Sequence, residues 1–158
     1  MAKRISKEEK IDRVVHWLNH LYERAYLYNK GKKEPISAIF ELNDYIGAIA
    51  VSREQLEDRT RTTIGIVIST SFGVPLHRFE ISATHTYQHD LNFCAFTSTP
   101  YKHGRELKEL ETSFTNQVVF ETYLRQLVKT SCKRDKLLTP LVTCLEKASN
   151  FMEVQKPY

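Results

Sequence analysis

The sequence predicts an α+β domain in which an antiparallel sheet is packed by one N-terminal helix and two C-terminal helices. Three observations predict it. Apolar residues recur at helical spacing near the N-terminus and again in the last third of the chain. Between Thr62 and Tyr101 they instead alternate with polar residues, as in half-buried strands. No repeat or linker divides the chain, so residues 1–158 are expected to form a single domain.

The composition is that of an ordinary globular domain. Hydrophobic residues make up 41% and charged residues 27% of the chain, which excludes intrinsic disorder and collagen-like structure. The longest apolar stretch, Tyr45 to Val51, is far shorter than the roughly 18 residues that span a bilayer, so no membrane partner is expected. The charged N-terminus and the three widely spaced cysteines predict a cytoplasmic protein without disulfides.

A first helix is predicted over residues 6–29. Ser6 and Glu9 have the spacing of a capping box, and Gly31 and Pro35 mark the end of the helix. Apolar residues at alternating steps of three and four form a seam along this helix. The seam could pack on the domain's own sheet or against a second copy. Its three heptads are few for a free coiled coil, so we favour packing within the domain. The apolar residues of this seam are Ile11, Val14, Leu18, Leu21, Ala25 and Tyr28.

Residues 36–52 fit either a hairpin or a buried helix. A helix here would be apolar on nearly every face, as a buried helix is. We favour the hairpin, because Asn43-Asp44 has the residue types of a two-residue turn. The pairs expected of this hairpin are Leu42 with Tyr45, Phe40 with Gly47, Ala38 with Ile49 and Ile36 with Val51.

A three-stranded meander is expected over residues 62–99, and the hairpin would extend it to five strands. In the 40 residues from position 62 onward only three are charged, whereas eleven are Ser or Thr. Alternating apolar residues indicate two strands joined by a turn at 72–75, and a third strand follows over 92–99. A four-residue turn would set Ile68 opposite Phe79.

Three more helices are expected. A second capping box, Ser52 to Gln55, predicts a short helix over 53–59. Thr139 as N-cap and Pro140 at the first helical position predict the start of the last helix. The middle helix is predicted from an apolar stripe that consists of Leu107, Leu110, Phe114, Val118, Phe120, Tyr123, Leu124, Leu127 and Val128.

Catalytic signatures are weak. The five glycines are scattered, and no glycine-rich nucleotide loop or His-Glu-x-x-His motif occurs, so no cofactor is expected. His85 continues the inward-facing alternation, and a turn centred between His89 and Asp90 would set it opposite Cys94 as a thiolate–imidazole pair or half of a metal site. A register shifted by one residue sets it opposite Ala95 instead. His85 and His89 lie too far apart on a strand to share a metal ion, so no metal site is predicted.

The positive charge of +4 is concentrated in three connectors, where contacts to phosphate groups are common but solvated lysines also collect. No helix-turn-helix or aromatic RNA-binding motif accompanies them. The candidate binding residues are Lys30, Lys32, Lys33, Arg59, Arg61, Lys129, Lys133, Arg134 and Lys136.

These observations favour a non-catalytic cytoplasmic interaction module that binds a protein or nucleic-acid partner and self-associates through its first helix or a sheet face. A hydroxyl-rich stripe on the outer side of the sheet, from Arg78 through Ser82 to Thr86, is the other candidate contact surface. The alternative is a small hydrolase or nuclease in which His85 and His89 act with Cys94 or a metal ion.

Overall fold

Five long antiparallel strands follow one another in chain order, and two short strands pair along the far edge of the fifth. The structure is a computed structural model that describes residues 5–29, 35–102, 105–106, 110–114, 124–130, 132 and 135–154. Its elements confirm the predicted α+β class, with one N-terminal helix, the five-stranded sheet and two C-terminal helices. They are α1 (Lys7–Asn29), β1 (Ile36–Leu42), β2 (Tyr45–Gln55), β3 (Arg59–Thr70), β4 (Pro75–Thr86), β5 (Leu91–Lys102), β6 (Arg105–Glu106), β7 (Leu110–Phe114), α2 (124–130) and α3 (Asp135–Val154).

The first helix forms where it was predicted and packs within the domain. Its cap is present, because the Glu9 backbone N–H donates to Ser6 Oγ at 3.2 Å. Helix α1 lies against β3, β4 and α3, while α3 also covers β1 and β2. The apolar seam of α1 is therefore part of the core and is not available to a second copy. All six seam residues are buried: Ile11, Val14, Leu18, Leu21, Ala25 and Tyr28.

The hairpin of β1 and β2 has the predicted register. Leu42 lies opposite Tyr45 and Ile36 opposite Val51, so the choice of a hairpin over a buried helix is confirmed. Asn43, the first residue of the turn, has φ of 57°, a conformation that asparagine tolerates better than most residues. A two-residue turn leaves the strands no freedom to slip, so it determines every pair in the ladder.

The predicted helix over 53–59 is wrong. Strand β2 continues to Gln55, and the four residues from Ser52 pair with Thr60 to Thr63 of β3. In the connection between the two strands the Leu56 N–H donates to the carbonyl of Arg59 at 2.8 Å. The capping-box spacing was overridden because continued pairing with β3 satisfies these backbone groups across the sheet.

The β3–β4 and β4–β5 hairpins have registers that differ from the predicted ones. Ile66, not Ile68, lies opposite Phe79, so the ladder is shifted by two positions and the apolar face is preserved. His85 lies opposite Asn92, not Cys94 or Ala95. The second shift arises because the turn spans four residues, 87–90, and ends on Asp90 in the left-handed region with φ of 49°.

The C-terminal third departs most from the prediction. Leu110–Phe114 is strand β7, which pairs with Cys94 to Ser98 of β5, so the predicted middle helix is wrong over these residues. Its second half is confirmed in part, since 124–130 are helical. Helix α3 begins at Asp135, several residues before Pro140, because buried leucines ahead of the proline extend its packed face. The stripe residues outside the described part of the chain are Leu107, Val118, Phe120 and Tyr123.

Gly47 allows α3 to approach the sheet closely. A Cβ atom at this position would lie 2.5 Å from Cys144 Sγ and 3.0 Å from Leu42 Cδ1. The Cys144 thiol cannot easily move away, because the side chain is fully buried, and that burial raises its pKa to about 12. A hydrogen atom in place of a side chain at position 47 therefore sets the distance between α3 and β2.

Gly47→Ala is expected to lower the free energy of unfolding by about 1 to 3 kcal/mol, because the new methyl group overpacks the interface between β2 and α3. Urea denaturation measures the loss. Gly65→Ala is the matched control, since its Cβ would meet only the Ala50 carbonyl oxygen, at 3.9 Å. In a Cys144→Ala background the penalty at position 47 should shrink; an equal penalty in both backgrounds would contradict the proposed contact.

Candidate functional site

One face of the sheet has no helix over it in the described ranges. The helices pack on the other face, where the buried core lies. Side chains of this outer face are mostly partly exposed, and they divide into an apolar half near β1 and a hydroxyl-rich half on β3 to β5. The apolar half comprises Ile39, Ile46, Ala48, Ala50 and Val67, and the hydroxyl-rich half comprises Arg61, Thr63, Glu80, Ser82, Thr84, Ala95 and Thr97.

An open cavity of about 450 Å³ lies on the hydroxyl-rich half. Arg61 is held across it, because its Nε–H donates to Thr84 Oγ1 at 3.2 Å. Arg59 forms an ion pair with Asp58 at 3.3 Å on the surface nearby. The cavity thus offers guanidinium and hydroxyl groups, the carboxylate of Glu80 and the ring of Phe93, a combination that suits polar ligand groups beside an apolar one.

The predicted basic residues do not converge on this cavity as a set. Arg59 and Arg61 line it, but Lys129 lies 3.4 Å from Glu8, at the start of α1, and forms an ion pair there. The end of α1 beside β3 is roughly 32 Å from Glu8, at 1.5 Å per helical residue. Lys136 is exposed near the start of α3. The others, Lys30, Lys32, Lys33, Lys133 and Arg134, lie outside the described residues.

Asn29, the last residue of α1, joins the helix to three strands. Its Nδ2 donates to the Ala83 carbonyl at 2.9 Å, and its Oδ1 accepts a hydrogen bond of 2.7 Å from Thr62 Oγ1. Its backbone carbonyl accepts from the Arg53 guanidinium at 3.1 Å. Sequence reasoning missed this residue. The available signal was its position, because the last carbonyls of a helix need partners from outside the helix.

A second cavity, of about 280 Å³, lies beside Asn29. His85 Nε2 and Asp90 Oδ1 are 2.6 Å apart at its mouth, and Tyr26 and Asn92 complete the lining. This histidine is one-third exposed, whereas the carboxylate of Asp90 is almost fully exposed. The predicted candidate His85 therefore has an oriented imidazole, and Asp90 is the partner that the sequence did not identify.

The predicted partner Cys94 is buried and does not line this cavity. It lies opposite Ala83, and on the inner face this pair is next to the pair of His85 and Asn92. Its thiol hydrogen-bonds to Tyr22, whose hydroxyl also bonds to that of Tyr26. Burial and the hydrogen bond to the thiol raise the pKa of Tyr22, so the Tyr22 hydroxyl stays protonated. His89, the third predicted residue, lies in the exposed turn.

A third histidine, His77, is buried at the opposite end of the inner face. Its Nε2 lies 2.8 Å from Ser98 Oγ and 3.9 Å from Cys132 Sγ. Its side chain is therefore hydrogen-bonded, as a buried polar group requires. Among the described residues no group of three or more His, Cys, Asp or Glu side chains is arranged to hold a metal ion.

The chain matches no protein family, no curated protein and no solved structure with which it was compared. None of the helices in the described part is long and apolar enough to cross a membrane. The three cysteines, Cys94, Cys132 and Cys144, are buried and form no disulfide. The geometry of the outer face and of the two cavities is therefore the basis for any functional conclusion.

Asn29→Ala is expected to lower the free energy of unfolding by about 1 to 3 kcal/mol, because it leaves the buried Thr62 hydroxyl and the Ala83 carbonyl without their partner. Chemical denaturation measures the change. Glu23→Ala, at an exposed position of α1, should alter stability by less than about 0.5 kcal/mol. Equal effects of the two substitutions would show that Asn29 does not tie α1 to the sheet.

Proposed function

We propose that this protein is a non-catalytic interaction module of the cytoplasm that binds a protein partner on the outer face of its sheet. The observation that carries the proposal is the apolar half of that face. Antiparallel sheets that have one face toward water usually carry polar residues there. Here Ile39, Ala48 and Val67 form one row across three strands instead, with no helix above them in the described part of the chain.

The charged residues of the strands support a protein partner. From Ile36 to Lys102 the chain contains four arginines and one lysine, Lys102, at the very end of β5. Protein interfaces are enriched in arginine and depleted in lysine, because the guanidinium group is weakly hydrated and binds planar acceptors in a fixed geometry. Arg61, held by Thr84 beside the hydroxyl-rich cavity, is positioned to contact an acceptor on the partner.

The cytoplasmic location is supported by the cysteines. None of the three forms a disulfide, whereas an oxidising compartment favours disulfides in a chain with several thiols. Nucleic acid is the second kind of partner to test, since Arg59 and Arg61 offer contacts to phosphate. Against it, Lys129 is at the other end of α1 and is paired with Glu8.

Ala48→Glu and Arg61→Glu, tested singly, are expected to reduce binding of the partner at least about tenfold, because each places a carboxylate on the proposed contact surface. The tagged protein is purified from its own cells at low and at high salt, and bound proteins are quantified by mass spectrometry. Absorbance at 260 and 280 nm measures retained nucleic acid.

Lys147→Glu is the matched control, because it reverses a charge on the exposed side of α3. Proteins lost from both outer-face variants but kept by the control would support the proposal. Unchanged recovery with all three variants would contradict it. If the two outer-face variants lose salt-sensitive nucleic acid and no protein, the outer face binds a polyanion and the proposed protein partner is contradicted.

A second candidate function is a small hydrolase centred on His85. The observation that favours it is the short contact between His85 and Asp90 at the mouth of the 280 Å³ cavity, since a carboxylate that orients an imidazole is the arrangement of a general base. Cys94 is too deeply buried to reach a substrate in that cavity without movement of the sheet.

For this second function, His85→Ala is expected to abolish hydrolysis of ester or phosphodiester substrates while the melting temperature changes by no more than a few degrees, because the side chain is partly exposed. His16→Ala, at an exposed position of α1, is the control. Equal hydrolysis by both variants would contradict this second function, and a large loss of stability in His85→Ala without loss of activity would show that His85 has a structural role.

A further inference from the structure

Among the described strands, β1 lies at the edge of the sheet. It pairs with β2 along all seven residues, and no described strand pairs with its other side. Sheets usually protect such an edge with lysine, proline or a β-bulge. The β1 sequence, Ile-Ser-Ala-Ile-Phe-Glu-Leu, has neither lysine nor proline and pairs without a bulge, and the side chain of its central residue, Ile39, is 77% exposed.

The backbone groups on this edge have a defined direction. Leu42 and Tyr45 flank the two-residue turn and form the closing hydrogen-bonded pair of a hairpin of this kind. Hydrogen-bonded pairs recur at every second residue of an antiparallel ladder. The N–H and C=O groups of Ser37, Ile39 and Glu41 therefore point away from β2, toward the free edge.

We infer that β1 pairs antiparallel with β1 of a second copy, about a two-fold axis at Ile39. In this register Ile39 lies opposite Ile39 of the second copy and Ser37 opposite Glu41, so every outward N–H meets an outward carbonyl. On the inner face, small Ala38 lies opposite large Phe40. The strand is thus complementary to itself in hydrogen bonding and in side-chain size, and its one charged residue, Glu41, faces the neutral Ser37.

Symmetric registers shifted toward the C-terminal end of β1 fit less well. A shift of two positions places Phe40 opposite its own copy and Ile39 opposite Glu41, which sets a carboxylate against an apolar side chain. A further shift of two places Glu41 opposite Glu41, so that like charges face each other directly. In a register shifted by one residue, backbone groups that point toward the free edge would lie opposite groups that point toward β2. Side chains of the inner face would also lie opposite side chains of the outer face.

The pairing extends the apolar half of the outer face. Ile39 lies opposite Ala48, which lies opposite Val67, so the three form one row across β1 to β3. Directly opposed residues of an antiparallel pair project to the same side of the sheet. Two copies therefore join their rows at Ile39 and cover part of this exposed side chain. The two contacts share Ile39, but the dimer depends on the backbone edge of β1, whereas the outer-face variants at Ala48 and Arg61 leave that edge unchanged, so the two proposals are tested separately.

The first test is a charge exchange at position 39. At about 100 µM, where a contact of this modest size should be populated, the native protein is expected to have twice the 18.5 kDa mass of one chain. Ile39→Lys alone and Ile39→Glu alone should each have the mass of one chain, because like charges then oppose each other at the axis. An equal mixture of the two variants should form a heterodimer. Sedimentation equilibrium measures all four masses.

The second test examines the register. Ile39→Cys should form an intermolecular disulfide under mild oxidation, because a hydrogen-bonded pair has its Cα atoms about 5.5 Å apart. Ser37→Cys should not, since two copies of position 37 are separated by four residues, or about 13 Å. The native cysteines are buried and should contribute little background. Ser37→Cys mixed with Glu41→Cys should cross-link.

A native protein with the mass of one chain at that concentration would overturn the inference. So would a dimer that Ile39→Lys and Ile39→Glu leave intact, or a disulfide that forms equally well with Ser37→Cys alone. Melting temperatures of the variants should remain near that of the native protein, because the substituted side chains are exposed in the single chain. If Ala48→Glu and Arg61→Glu lose the partner while the native protein keeps the mass of two chains, both proposals are supported. If these variants keep the partner and the native protein keeps the mass of two chains, only the proposed function is contradicted.

Discussion

The packing of α1 onto β3 and β4 determines which surfaces the protein presents to its surroundings. It uses the whole apolar seam of the helix, so the helix cannot also serve as a coiled-coil contact. It leaves α3 to cover β1 and β2, with Gly47 allowing the close approach. It also brings Asn29 to the strands, where its hydrogen bonds hold the end of the helix beside the cavity of His85. In the described part of the chain no helix covers the outer face, because both long helices lie on the other side.

Local signals predicted the elements whose geometry is determined locally. The cap at Ser6 and the seam of α1 follow from residues three or four positions apart. The β1–β2 register follows from its two-residue turn. The four-residue turns at 71–74 and 87–90 permit more than one register of the strands they join, and there the predicted pairs differ from the observed ones. The predicted face of each side chain is still right, because side chains alternate with a period of two residues and the β3–β4 register is shifted by two. Only the individual pairs were wrong.

Long-range pairing decided the remaining elements. Ser52 to Gln55 has a helical cap sequence but continues β2, and Leu110–Phe114 has helical spacing but pairs with β5, since an available sheet edge satisfies every second backbone group of a strand. The site was predictable to the same extent. His85 was placed on the inward face by its alternation, whereas Asp90 as its partner depends on a turn conformation, and Asn29 depends on strands more than 30 residues away.

The handed twist of the sheet has a consequence for an assembly of two chains. Adjacent strands rotate by roughly 20 to 25° relative to each other. In a pair joined through β1, seven strand spacings separate the two copies of β4, and the accumulated rotation reaches roughly 150°. The Arg61 cavities of the two chains then face in nearly opposite directions. Such an assembly connects two separate molecules, one at each end, and does not hold a single molecule between two sites.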